Sequence, residues 1–492
     1  MRARTLARDD RSGAPAALRL ALVLAFPFIG ALTVAGTYLG KEVIVAAAWV
    51  AFATVGFLFV NPVIGVVVMS AMFLITAYPT LLQTLGILTV NNLLGVGFMA
   101  LIVLHVLETR DLSFLRIRQV QILMAIGILF TISGYHSDVN FPLLVTTFRR
   151  GGATVDRTAD LSHDFVTRLA FLGFFWVFVR SRRDISALFL TFTFVLFAAV
   201  PSALVNWMNG TLESGFRAQA SLTAGANANR LAMICYFQIG CWWVWAQSRP
   251  GTMRKLIGYG VMGAAGLVLF ATGSRSGLVA SIPFAILLQS GVRRFRVTPG
   301  QMGLMAGLAA VAVVAVVPPE AWERMLNFMP GRGEAGQHST LQRVTTIYTG
   351  VQMIEDYPGL GVGLGNFREV AKQVYRDPFY RPPHNSYLWA AAEGGIPVLL
   401  LYLLLMWVTW RDVRVITKLA HRDPAIAHVA AGMRIVFPIF NFFGLFADLW
   451  LNPILYIMIG LVITLRRYVE GLPEVEVPAR VLPTRRVVAV AA

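Results

Sequence analysis

The sequence predicts an all-α polytopic membrane protein, from its composition, its hydropathy pattern and its charge pattern. Of 492 residues, 57% are hydrophobic and only 14% are charged, and the mean hydropathy is +0.66. A soluble protein carries about 25% charged residues. A chain this apolar lacks the polar surface that water requires, so lipid must cover much of it.

Apolar segments recur from about residue 20 to residue 467, each near the ~20 residues that cross a bilayer. We count about fourteen, and merging of short neighbours changes the count to about 12–14 transmembrane helices. They lie near residues 20–40, 43–60, 63–79, 93–107, 120–135, 165–180, 185–205, 230–247, 256–272, 277–290, 300–317, 386–409, 432–447 and 453–465. We therefore expect a basic N-terminus at 1–19, a membrane domain at 20–467 and a disordered tail at 468–492.

The basic residues that give the net charge of +17 are distributed as expected of a membrane protein. Short cytoplasmic loops are enriched in Arg and Lys, and six basic loops fall on one predicted side of the membrane. They contain Arg110, Arg116 and Arg118; Arg180, Arg182 and Arg183; Arg249, Arg254 and Lys255; Arg293, Arg294 and Arg296; Arg411, Arg414, Lys418 and Arg422; and Arg466 with Arg467. Both termini are therefore predicted to be cytoplasmic. Basic residues dispersed between apolar segments favour membrane lipids, not nucleic acid, as the partner.

Two of the predicted outside loops have further features. Residues 136–164 contain Arg149, Arg150 and Arg157 against the charge rule, which a re-entrant segment from Phe141 to Phe148 would explain. The largest outside loop, Pro318 to His384, has apolar residues at helical spacing from Leu341 to Ile354, after a candidate cap at Ser339. That helix lies on the membrane surface, covers a cavity, or simply packs within the protein.

Arg275 is the first candidate site residue. It lies in Thr-Gly-Ser-Arg-Ser-Gly between two predicted spans, where Ser274 is positioned to cap the following helix. A helix N-terminus beside a guanidinium favours an anion such as phosphate. An arginine at a helix end also commonly contacts lipid headgroups. Positive charge is disfavoured in outside loops, however, and Arg217 in an earlier outside loop would complete a phosphate clamp.

His384, followed by Asn385, begins the strongly apolar segment after the large loop. A neutral imidazole can act as a general base near pH 7. A histidine at a helix start is also commonly a capping or packing residue, so the prediction rests on its surroundings.

No cofactor or metal is predicted. Gly361, Gly363 and Gly365 resemble part of a nucleotide-binding loop, but no strand–helix unit surrounds them, and a tight turn is favoured. The acids and histidines between His136 and Asp164 fit no metal-ligand spacing. Cys235 and Cys241, six positions apart in one apolar segment, face different sides of a helix.

Three stretches together resemble the O-antigen ligase and polysaccharide polymerase family. They are Ala-Thr-Gly-Ser-Arg-Ser-Gly (271–277), Asp-Tyr-Pro-Gly-Leu-Gly-Val-Gly-Leu-Gly-Asn-Phe (356–367) and His-Asn-Ser-Tyr-Leu-Trp-Ala-Ala-Ala-Glu-Gly-Gly (384–395). Arg217 resembles a further arginine of that family, so the similar core covers about 217–395. Each motif is short, but their order and shared outside placement make the combination specific.

The resemblance implies a metal-independent, inverting, GT-C-like glycosyltransferase of the bacterial inner membrane. Such an enzyme moves a glycan from an undecaprenyl-diphosphate carrier to a hydroxyl of lipid A core or of a growing polysaccharide, on the periplasmic face. His384 would be the base, and Arg217 and Arg275 would hold the diphosphate. Arg343, Asn385, Glu393 and Ser274 would play supporting roles, with an arginine as the expected partner of a buried Glu393.

Two other functions remain open at this point. A flippase for lipid-linked oligosaccharides would also need arginines in a cavity, although broken helices in paired halves are not evident. A peptidoglycan-type glycosyltransferase would be expected to place an acid, not His384, at the reacting centre. Ligase and polymerase, the sugar, the acceptor and the oligomeric state are not distinguished by the sequence.

Overall fold

The computed structural model describes residues 62–74, 99, 102–103, 105–141, 147–150, 153–208, 228–290, 295–304, 307 and 334–473. Helices dominate this part of the chain, which confirms the predicted all-α class. The predicted spans near 20–40 and 43–60, Arg217 and most of the tail lie outside the described residues.

Thirteen α-helices and one β-hairpin are described. They are α1 (Pro62–Leu74), α2 (Arg118–Asn140), β1 (Thr147–Arg150), β2 (Ala153–Asp156), α3 (Arg157–Phe178), α4 (Arg182–Phe197), α5 (Ala199–Met208), α6 (Ala228–Gln247), α7 (Thr252–Ala271), α8 (Arg275–Ser290), α9 (Glu334–Asp356), α10 (Phe367–Gln373), α11 (Ser386–Leu419), α12 (Ala427–Phe443) and α13 (Pro453–Glu470). Short 3-10 helices lie at Ser113–Arg116 and Ala420–Arg422.

Among the described residues, five helical stretches are long and apolar enough to cross a membrane. They are Arg118–Ser137, Leu161–Phe178, Arg182–Leu204, Thr252–Ala271 and Ser386–Arg422. The chain is therefore a membrane protein with several spanning helices.

The structure differs from the prediction in one detail and adds to it in two others. Antiparallel strands pair Thr147 with Asp156 at the end of the expected re-entrant segment. Most of that segment lies outside the described residues, so it stays a prediction. The helix of the large loop begins at Glu334, so Ser339 lies inside it and does not cap it. The span predicted at 185–205 is confirmed as the stretch Arg182–Leu204, in which the single turn residue Ala198 separates α4 from α5.

The core lies around α6 and α13, whose residues are almost all buried. α6 packs against α7 and α12, and α13 packs against α3 and α11. Close approach depends on small residues, as is usual where hydrophobic helices meet in lipid. A Cβ on Gly460 of α13 would lie 2.7 Å from the Phe175 ring of α3. The missing side chain of Gly460 therefore leaves the space that the Phe175 ring fills.

The longest helix, α11, is broken near its start. Gly395 has φ 74° and ψ 179° inside the helix, and Pro397 follows it. Proline has no N–H, so the carbonyl of Glu393 loses its helical partner, and the turn at Gly395 frees the carbonyl of Ala392. Both need other donors, because buried backbone carbonyls are costly to leave unpaired.

The glycine-rich loop supplies those donors. The N–H of Val362 donates to the carbonyl of Ala392 at 2.9 Å, and that of Gly363 donates to Glu393 at 3.0 Å. Gly361 has φ 66°, and a Cβ there would lie 2.5 Å from the carbonyl oxygen of Ala392. The predicted tight turn is therefore confirmed, and it serves the broken helix.

Candidate active site

The loop between α12 and α13, residues 444–452, holds the start of α11. The N–H of Ser386 donates to the carbonyl of Gly444 at 2.7 Å. Its hydroxyl donates to the carbonyl of Ala447 at 2.7 Å and accepts from the N–H of Leu449 at 2.8 Å. Ser386 is fully buried, so these bonds fix where the preceding residues, His384 and Asn385, leave the helix.

The same loop contacts the start of α6, which in turn contacts the start of α8. Arg230 donates through Nη2 to the carbonyl of Asp448 at 3.0 Å. The neighbouring Asn229 accepts at Oδ1 from the hydroxyl of Ser274 at 2.7 Å. Three helix starts, widely separated in sequence, therefore converge at one end of the bundle.

Ser274 caps α8 as predicted. Its hydroxyl oxygen accepts from the N–H of Gly277 at 3.1 Å, which satisfies one of the free amides of the first turn. Arg275 is the first residue of the helix and its side chain is exposed. No described residue forms a hydrogen bond or salt bridge with its guanidinium, so the donors of that group remain available to a ligand.

His384 lies before the cap of α11 and is paired with an acid. Asn385 is the capping residue, because its Oδ1 accepts from the N–H groups of Tyr387 and Leu388, each at 3.0 Å. His384 has φ 49°, an uncommon conformation for a residue other than glycine. Its Nδ1 lies 3.3 Å from Oδ2 of Asp448, whose side chain is only 11% exposed. The acid orients the ring and leaves Nε2 for another contact.

Arg343, on α9, joins the same cluster. Partial desolvation by the surrounding protein lowers the pKa of the Arg343 guanidinium, although the residue as a whole is exposed. The positive charge of Arg275 lowers the pKa further, and the charge of Asp448 opposes both effects. Charges influence one another in this way only at short range, and α9 packs on the first turn of α11, so Arg343 lies near Arg275 and the His384–Asp448 pair. Like charges held near each other without a described carboxylate on either arginine are typical of an anion site.

The position of α9 explains how Arg343 reaches the cluster. A Cβ on Gly350 would lie 2.9 Å from Cδ2 of Leu388, so α9 packs closely on the first turn of α11. Its opposite face is apolar and exposed among the described residues, with Leu341 58%, Val344 59% and Tyr348 63% exposed. The amphipathic character predicted for this helix is confirmed.

Glu393 lies away from the helix starts, in the break of α11. It is 1% exposed, and its Oε1 accepts from the N–H of Phe367 at 3.2 Å. Its observed contact therefore joins α10 to α11, which is a supporting role. The arginine partner expected for Glu393 stays a prediction.

Other candidate ligands of the sequence form ordinary contacts. Nε2 of His136 lies 2.8 Å from Nδ2 of Asn140, and Asp164 pairs with Arg168 at 2.6 Å. Cys235 and Cys241 are buried and not bonded to each other. In the part of the chain that the structure describes, no three His, Cys, Asp or Glu side chains are grouped for a metal.

Asp448 is the site residue that sequence reasoning missed. It lies in a short loop between two predicted spans, with no motif around it. The available signal was its charge: an acid beside Trp450 in an otherwise apolar stretch, on the same predicted outside face as Arg275 and His384. Arg217, in contrast, lies outside the described residues, so its place in the cluster stays a prediction.

One protein-family model matches the part of the chain that contains most of this cluster. Residues 260–403 match the family described as O-antigen ligase. This stretch is similar to an O-antigen ligase domain. The match includes Arg275, Arg343 and His384, while Asp448 lies beyond it. A comparison with curated proteins finds no match. The stretch that matches this family therefore contributes most of the cluster, and the chain beyond it contributes the acid.

Proposed function

We propose that this protein transfers a glycan from an undecaprenyl-diphosphate carrier to an acceptor hydroxyl at the periplasmic face of the bacterial inner membrane. The observation that carries the proposal is the cluster of two arginines without described carboxylate partners beside an acid-oriented histidine. The match of residues 260–403 to the O-antigen ligase family supports this reaction class.

The arginines suit the donor. In the transfer, the bond between the anomeric carbon and the phosphate oxygen breaks, and the diphosphate leaves with additional negative charge. Arg275 and Arg343 provide guanidinium groups for those oxygens, with Arg217 as a further candidate. Charge stabilisation of this kind is commonly the largest single contribution to a rate. Because arginine donors serve the leaving group, the proposal needs no metal.

The histidine suits the acceptor. As the acceptor oxygen bonds to the anomeric carbon, its proton passes to Nε2 of His384. Asp448, at Nδ1, stabilises the imidazolium that then forms, as a carboxylate does in other acid–base pairs. Attack from the side opposite the leaving diphosphate inverts the anomeric configuration. Asn385 and Ser274 hold the two helix starts, and Glu393 supports the helix behind them.

The test is transfer by purified protein in liposomes, using an undecaprenyl-diphosphate glycan and either lipid A core or a second carrier-linked glycan as acceptor. Covalent product is expected with the wild type, and the acceptor that reacts distinguishes ligase from polymerase. His384→Ala should lower kcat about 100- to 10,000-fold. His421→Ala is the matched control, because His421 is exposed and belongs to the 3-10 helix after α11.

Two results would contradict the proposal. One is movement of the lipid-linked glycan across the liposome without covalent product, which is flippase behaviour. The other is normal transfer by His384→Ala protein of wild-type thermal stability.

A further inference from the structure

A cavity of about 780 Å³ lies at the other end of the helical bundle. The start of α2 and the ends of α11 and α13 form its walls, with Trp176 of α3. Five arginines and two acids line it, which gives a net charge of +3. The arginines are Arg116, Arg118, Arg411, Arg466 and Arg467. Its volume falls in the usual range of small-molecule sites, about 300–1,000 Å³.

A single buried acid organises one wall. Asp412 is 4% exposed and accepts from Nε2 of Gln119 at 2.8 Å. Arg411 lies 3.2 Å from its Oδ1, and Arg466 contacts the same oxygen. One carboxylate therefore holds two guanidinium groups, which leaves this wall positively charged and conformationally fixed.

Arg467 is fixed by neutral groups. It donates to the backbone carbonyls of Trp176 and Val179, and its guanidinium lies 4.3 Å from the centre of the Trp176 ring. Nε1 of Trp176 in turn donates to the hydroxyl of Ser113 at 2.9 Å. These contacts orient Arg467 but do not neutralise it, so its charge acts on whatever enters the cavity.

Arg116 and Arg118 also line the cavity. Both side chains are exposed, and neither has a hydrogen bond or salt bridge to a described residue. The cavity therefore combines two exposed arginines with three that are held by hydrogen bonds. This combination suits a phosphate group, which accepts several charge-assisted hydrogen bonds.

The position of the cavity favours a lipid as the source of that phosphate. Arg411 follows Ser386, the first residue of α11, by 25 residues. At 1.5 Å per residue this is at most about 38 Å, because the helix is broken at Gly395, and it is enough to cross the hydrocarbon core of a bilayer. The Arg411 guanidinium lies 5.7 Å from the Trp407 ring, and Trp407 is 53% exposed. Exposed Trp beside Arg is typical of the membrane interface.

We propose that this cavity binds the phosphate of an anionic phospholipid headgroup, on the membrane face opposite the candidate active site. Basic pockets between transmembrane helices bind such headgroups on the cytoplasmic side, where anionic lipid is abundant. A soluble phosphate has the same charge chemistry but no acyl chains to contact the apolar surface around Trp407. The inference does not depend on the glycan-transfer proposal.

The experiment titrates phosphatidylglycerol into full-length protein purified in neutral detergent, with bound lipid counted by native mass spectrometry. The wild type should retain at least one phosphatidylglycerol in preference to phosphatidylcholine. Arg116→Gln/Arg118→Gln should bind about thirtyfold more weakly, since each arginine near the surface contributes about 1 kcal/mol. The control Arg183→Gln/Arg414→Gln removes the same charge from exposed side chains outside the cavity and should bind as the wild type does.

Three results would overturn the proposal. The first is equal weakening in both double variants, which would mean general surface charge. The second is unchanged binding in Arg116→Gln/Arg118→Gln protein. The third is equal affinity for glycerol phosphate or inorganic phosphate, which would identify a soluble anion as the ligand. Arg116 and Arg118 are exposed, so both variants should keep the thermal stability of the wild type.

Discussion

The two ends of the helical bundle use arginine in different ways. Where α8 and α11 begin, Arg275 and Arg343 lie near each other, and no described carboxylate pairs with either. Where α11 and α13 end, Arg411 and Arg466 share the buried Asp412, and Arg466 also pairs with Glu470 at 2.9 Å. The arginines at the first end are positioned for a ligand, whereas those at the second end also stabilise the fold. Substitution of Arg275 should therefore affect activity, whereas substitution of Asp412 should affect stability.

The largest expected effect is on catalysis. Arg275→Ala should lower kcat/KM for the lipid-linked donor about 100- to 1,000-fold, because one stabilising donor for the leaving diphosphate is lost. Thermal stability should stay unchanged, since the side chain is exposed and has no described partner. Arg275→Lys should recover part of the rate by restoring charge without the bidentate geometry. Arg381→Ala, an exposed arginine three residues before His384, is the control. Comparable losses of kcat/KM in Arg275→Ala and Arg381→Ala would mean that Arg275 has no special role in stabilising the leaving diphosphate.

Stability at the catalytic end should depend on backbone contacts. Gly361→Ala should lower the free energy of unfolding by about 2–3 kcal/mol, because the new Cβ meets the carbonyls of Ala392 and Glu393 at a positive φ. Gly359→Ala is the matched control, since a Cβ there has no neighbour within 4 Å. Thermal unfolding in detergent measures both. Equal melting temperatures for the two variants would mean that the loop does not support the helix break.

At the opposite end, Asp412→Asn should destabilise the protein and leave transfer per folded molecule unchanged. The amide cannot neutralise Arg411 and Arg466, but those side chains are 28% and 29% exposed, so water shares the cost. We expect a loss of about 2 kcal/mol, measured by thermal unfolding beside a transfer assay normalised to folded protein. A selective fall in transfer would place Asp412 in the catalytic machinery and break the comparison.

The smallest expected effect concerns the orientation of the base. Asp448→Asn should lower kcat about tenfold while the KM for the donor stays within about twofold, because the amide still hydrogen-bonds to His384 but carries no charge. Steady-state kinetics in liposomes separates the two constants. In a His384→Ala background the same substitution should have no further effect. Independent, additive losses would show that Asp448 acts without His384.

The sequence predicted the features of the candidate site that depend only on residues close together in the chain. Ser274 was expected to cap α8, and it does, because a small hydroxyl residue before an apolar helix satisfies the first amides. The glycines of 361–365 were expected to form a turn, because positive φ favours glycine. The start of α9 was predicted wrongly at Ser339, because a serine also fits inside a helix whose other contacts stabilise it.

Contacts between residues far apart in the sequence were not predictable from these local patterns. Asp448 reaches His384 across 64 positions of sequence, and Arg343 reaches Arg275 across 68, through the packing of α9, α11 and the 444–452 loop. An isolated aspartate between two spans has no periodicity or motif to mark it. Its role depends on which helix starts converge, and packing decides that.

The sequence by itself determined that lipid surrounds this chain, that most of it is helical and that O-antigen ligase motifs are present, because composition, periodicity and short motifs are local properties. Only the tertiary structure decided that an acid orients His384, that the glycine-rich loop completes the broken α11, and that arginines at the far end surround a cavity. These features depend on contacts between distant segments. Such contacts form only when the helices pack at short range, where hydrogen bonds and charges act.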